Sequence, residues 1–170
     1  MLAQHIHAGA LIGSTMAECY PDFGNILGPD AVGVFASDRP DGWVNYDLLK
    51  PGAREATDAF DDAWKDQTGT EPTEEGLAGF TAAWALFHYV LPHAKAFTAA
   101  AIAQAARETV QPAGSLPNGG GINFSRDTAN LGQNLSAIGV IWQWQATRKE
   151  VTVWPEEYAQ GPVKLVPLPQ

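Results

Sequence analysis

Apolar and polar positions along the chain change period several times, and each change marks an element. Met1 to His7 has the pattern of a helix end stopped by Gly9. Ala10 to Gly13 is a short apolar run of the buried-strand kind. Ser14 to Gly28 carries a weaker helical pattern in Phe23, Ile26 and Leu27, closed by Gly28-Pro29. Ala31 to Ala36 (AVGVFA) is a second apolar run and predicts another buried strand. Strand, helix, strand at this spacing is a βαβ unit, which implies a parallel sheet in an α/β domain.

Ser37 to Gly52 reads as a long loop carrying Trp43 and Tyr46. Arg54 to Gln67 is an amphipathic helix, with Ala56, Phe60, Ala63 and Trp64 on one face and Asp58, Asp61, Asp62 and Lys65 on the other. A helix opening at Thr73, Glu74 and Glu75 runs to about Leu91, with its acids placed well for the helix dipole. It is apolar nearly all round, which predicts burial on several sides until Pro92 breaks it. Ala96 to Val110 is an Ala-rich helix, and Pro112 to Gly121 a turn-rich connector. Gly121 to Phe124 is a short strand candidate. Ile138 to Gln145 and Glu150 to Trp154 both alternate, which predicts a hairpin. The tail from Pro155 to Gln170 holds four prolines and reads as extended.

Charge narrows the partners. Lys and Arg number 10 against 19 Asp and Glu, a formal net charge of -9, which disfavours nucleic acid and anionic membranes. No run approaches the ~18 apolar residues that span a bilayer, and no membrane insertion is expected. The first residues lack the basic start of a secretory signal. One cysteine, Cys19, excludes an intramolecular disulfide and a Cys-cluster metal site.

Few residues carry a catalytic pattern. His5 and His7 fall on different helix faces, and the spacing of His88 and His93 around Pro92 is wrong for a helical metal pair. Cys19 has no sequence context of a thiol nucleophile and reads as a buried structural thiol. GSTMA at Gly13 to Ala17 lacks the last glycine of a nucleophile elbow. PNGGG at Pro117 to Gly121 lacks the lysine of a phosphate loop and suits a tight turn before a strand. The acids between Arg54 and Glu75 form no calcium-loop series. The chain therefore reads as a non-enzyme without cofactor or metal. What remains is positional, because parallel α/β sheets bind ligands beyond the carboxyl ends of their strands. Those ends predict a ligand-binding set of Ser14, Thr15, Met16, Val32, Phe35, Asp38 and Trp43.

The ordered motifs also resemble a known family. Ala8–Gly9, Asn25–Gly28 and Ala31–Gly33 look like the helix end, short helix and strand in the second lobe of type I periplasmic binding proteins, of the branched-chain amino-acid-binding kind. WKDQTG at Trp64 to Gly69, and Gly79 to Ala94 with Phe80 at the aromatic position, are similar to the helices that follow. Gly121 to Phe124, Trp142–Gln143–Trp144 and Val153–Trp154–Pro155 resemble the family's ending. Six matches in order span nearly the whole chain.

The resemblance implies a partial two-lobed, Venus-flytrap α/β fold. Residues 1–72 would be a second-lobe segment with a parallel sheet, and 73–120 helices returning toward the first lobe. Residues 121–170 would form a C-terminal hairpin and extended tail, with the first lobe mostly absent. It implies a periplasmic or extracellular solute receptor serving an ABC permease, here truncated and binding its small molecule weakly or not at all. Amino-acid binders of the family can carry an acid where Val32 stands, so an aromatic or otherwise apolar-bodied ligand is expected instead. The alternative is an interaction module derived from that fold. Its apolar helix from Ala82 to Leu91 would seek a second copy and form a homodimer.

Overall fold

The alternating run near the end of the chain forms the expected hairpin. In the computed structural model, which describes residues 10–14, 20–40 and 44–165, β5 (Val140–Ala146) turns at Thr147 and Arg148 into β6 (Lys149–Trp154). The hairpin extends a pair of parallel strands, β1 (Ile12–Ser14) and β2 (Phe35–Asp38). Strand order is β1-β2-β5-β6, with β2 antiparallel to β5. The α/β class holds, but the sheet is mixed, because the hairpin joins the parallel pair directly.

The second strand begins later than its apolar run. Of AVGVFA, only Phe35 and Ala36 lie in β2. Gly28 to Ala31 form a short 3-10 turn with Pro29 near its start, and Gly33 takes a φ of 97°, which glycine adopts without a Cβ penalty. The apolar residues before β2 serve packing instead: Ala31 and Val34 are buried against Trp144, with Leu11 and Phe23 beside them. Phe23 and Trp144 meet with ring centroids 5.6 Å apart. Phe23 belongs to α1 (Pro21–Leu27), which is shorter than the expected helix and opens on a proline at its first turn. Gly24 lets α1 approach the hairpin turn. A Cβ there would stand 2.0 Å from the Thr147 carbonyl oxygen.

By contacts the chain forms two units, residues 1–45 with 139–170, and residues 46–138. In the second unit, α2 (Pro51–Thr68) starts three residues before the expected helix, because Pro51 fits a first helical position. Its buried line is Ala53 and Thr57, continued by half-buried Phe60 and Trp64, whereas Ala63 is exposed. Phe60 stacks on Phe80 of α3 (Glu74–Ala85) at 4.8 Å. Thr73 caps α3 by accepting a hydrogen bond from the Gly76 amide at 3.2 Å.

The expected single helix to Leu91 changes character on the way. Leu86 to Val90 adopt π-helical turns and Leu91 to His93 a 3-10 turn around Pro92. The burial expected on several sides is not found. Leu77, Thr81 and Val90 are buried, whereas Ala82, Ala83, Leu86 and Phe87 are exposed, Phe87 by 69%. Helix α4 (Ala99–Glu108) follows, capped by Thr98. Short strands β3 (Val110–Gln111) and β4 (Ile122–Asn123) then pair antiparallel. The PNGGG segment between them is a turn, in which the Gly119 amide donates to the Leu116 carbonyl and Gly119 takes a φ of 84°. Among the described residues, no helix is long and apolar enough to cross a membrane.

Candidate functional site

The carboxyl ends of β1 and β2 lie side by side. Register pairs Ile12 with Phe35, Gly13 with Ala36 and Ser14 with Ser37. The backbone thus brings Ser14 and Asp38, two of the expected site residues, to one end of the sheet, whereas Phe35 opens β2 at its amino end, opposite Ile12. Val32 stands apart, half-buried in the turn before β2, where its amide donates to the Pro29 carbonyl. Thr15, Met16 and Trp43 lie outside the described residues, as do His5, His7 and Cys19.

Alternation along β2 separates the polar groups. Phe35 and Ser37 share one face, and Ala36 and Asp38 the other. The Asp38 carboxylate accepts a hydrogen bond from the Arg39 amide at 2.7 Å and pairs with its guanidinium at 3.5 Å. Ser37 is half-buried, and its hydroxyl makes no hydrogen bond among the described residues. Ser37 stands outside the expected set, and its offset of two from Phe35 is the sequence signal that points to it.

The row through Ser37 continues across the sheet. Ser37 pairs with Ile141, and Ile141 with Trp154 at the end of β6. A bulge sets that last pairing, because Trp142 pairs with Thr152 and Val153 is the extra residue. Trp154 is 56% exposed. On the same face, further from this end, Gln143 is buried and ties down the tail. Its side-chain amide donates to the Lys164 carbonyl and accepts from the Lys164 amide, both at 2.8 Å.

Other polar groupings read as structure. Among the described residues no group of three or more His, Cys, Asp or Glu could hold a metal. His88 stacks on Trp84 at 4.4 Å, which accounts for it by packing. The Arg54 guanidinium lies over the Tyr46 ring at 5.7 Å and donates to the Tyr46 carbonyl, while the Tyr46 hydroxyl donates to Asp58 at 3.2 Å. Burial, then the charges of Asp61 and Asp58, push the Tyr46 phenol up to about 12. Arg126 donates twice to the Arg107 carbonyl near the end of α4, beside a shallow depression lined by Gln104, Glu108 and Leu131.

Solved structures share the fold of this chain. An extracellular ligand-binding receptor from Rhodopseudomonas palustris HaA2 superposes with a TM-score of 0.64 at 17% identity, over 89% of this chain and 42% of its own. The fold is part of the type I periplasmic-binding-protein fold. A leucine-binding protein from Thermotoga maritima shares it with a TM-score of 0.59 at 17% identity, over 86% of this chain and 37% of its own. So does a candidate branched-chain amino acid ABC transporter from Silicibacter pomeroyi, with a TM-score of 0.61 at 17% identity, over 92% and 40%. The chain spans about two fifths of the length of these type I structures. No protein-family model and no curated protein sequence matches it.

Proposed function

We propose that the chain is part of a non-enzymatic solute receptor of an ABC uptake system, acting outside the cytoplasm. The carrying observation is the β1–β2 pair, whose adjacent carboxyl ends lie in a fold shared with ligand-binding receptors. The ligand is a small organic molecule with an apolar body, with Ser14 and Asp38 at this end of the sheet among the residues that hold it, and Thr15, Met16, Val32, Phe35 and Trp43 completing the proposed set. Two points disfavour an α-amino acid. No acid stands at Val32, and the Asp38 carboxylate is already engaged by Arg39. In this reading residues 1–72 are second-lobe in origin, 73–120 return toward the first lobe, and 121–170 are the C-terminal strands and extended tail. Thermal-shift and calorimetric screens of apolar metabolites test it. Saturable binding, even at millimolar Kd, supports the proposal, and a screen without any binder removes its ground.

Exposed Leu86 and Phe87 favour a second reading, an interaction module that pairs with its own copy. Light scattering over a concentration series tests it, and a constant monomer mass counts against it.

A further inference from the structure

From the row Ser37–Ile141–Trp154 we infer that Trp154 is the aromatic platform on which the ligand's flat apolar body rests, with the Ser37 hydroxyl holding its polar end. The inference rests on the receptor reading above and names a contact which that reading does not contain. Three observations carry it. The first is register, since each residue of the row stands opposite the next on neighbouring strands. The β2 and β6 backbones are two strand spacings apart, about 10 Å, a gap that an aromatic acid bridges with help from the indole. The second is exposure. Trp142 and Trp144 are fully buried in the same hairpin, whereas Trp154 stays 56% exposed. Leaving so large an apolar surface in water is unfavourable unless something covers it. The third is the free Ser37 hydroxyl, a donor and acceptor with no partner among the described residues. Bulges recur beside binding sites because they re-aim a side chain, and this one sets Trp154 opposite Ile141.

The ligand class that fits is a planar aromatic carrying a carboxylate or amide. Ring stacking on Trp154 supplies affinity, and the polar group fixes orientation. Saturation-transfer NMR on the full chain, with benzoate and indole-3-acetate as probes and leucine as the comparison, tests this. The expected result is saturation on the ring protons of the aromatic acids. Trp154→Ala should weaken their binding roughly 2- to 10-fold, as loss of one aromatic contact implies. Trp154→Phe should restore most of it, and Trp154→Leu, which keeps apolar bulk, should not. Ser37→Ala should reduce binding of both acids and leave the ring-proton pattern in place. Aromatic binding of equal strength in parent and Trp154→Ala overturns the platform and leaves the receptor reading standing. Leucine binding in preference to both acids overturns the aromatic assignment. Binding of none of the three overturns the platform, whereas the receptor reading falls only with the broader screen.

Discussion

At the scale of single residues, two side chains show how local surroundings set behaviour. The Tyr46 phenol is held protonated by burial and by the nearby charges of Asp61 and Asp58. Its folded value of about 12 lies above the ordinary 10, so its contribution to stability is complete below pH 10 and is lost as pH rises through 12. Tyr46→Phe should therefore remove the phenolate absorbance step near pH 12 and flatten the loss of stability between those limits. An alkaline titration followed at the phenolate band, with parallel urea melts, measures both. A step near pH 12 that survives in Tyr46→Phe would assign it to another tyrosine. Gly24 is the opposite case, a residue chosen for what it lacks. A Cβ there would meet the Thr147 carbonyl oxygen at 2.0 Å and the Trp144 ring at 2.4 Å. Gly24→Ala should cost about 1–3 kcal/mol or more, as overpacking does. A urea midpoint equal to the parent's would show that α1 shifts freely on the hairpin.

At the scale of elements, what was legible depended on whether the local pattern had one cause. The β5–β6 hairpin was legible because IWQWQ alternates without competing turn residues. The reason for its alternation was not: Gln143 is as buried as Trp142 and Trp144, because it bonds the tail backbone at Lys164. β2 was misplaced because AVGVFA is apolar for two reasons, first as a packed turn through Ala31 and Val34, then as a strand. Two of the seven expected site residues, Ser14 and Asp38, meet at the strand ends, since a parallel pair fixes where its carboxyl ends lie. Trp154 reaches that row only through a bulge, a feature that period alone does not reveal. The start of α3 was legible from Thr73 and the two acids after it, and the structure adds that Thr73 is its cap. Thr73→Ala removes the hydrogen bond to the Gly76 amide and should cost about 1 kcal/mol. Equilibrium unfolding measures the loss, and Thr73→Ser should recover most of it.

At the scale of the whole molecule, the decisive quantity is uncovered apolar surface set against net charge. From Gly76 to Ala94 there is no Asp, Glu, Lys or Arg, yet Leu86 and Phe87 face solvent. Covering such a side chain is worth about 1.5–3 kcal/mol, so this stretch favours association. The net charge of -9 opposes it, because two copies repel each other. Salt screens that repulsion over about 8 Å at physiological strength, whereas the apolar term persists. If the interaction reading holds, the mass seen by light scattering should rise with protein concentration and rise further with added sodium chloride. Phe87→Lys should return the chain to monomer mass despite lowering the net negative charge, because the lysine places an ionised group where the contact must be dry. Phe87→Leu, which keeps the apolar surface, should associate nearly as the parent does. Association that weakens as salt rises, or that survives Phe87→Lys, would place the contact on charged surface and remove Leu86 and Phe87 from it.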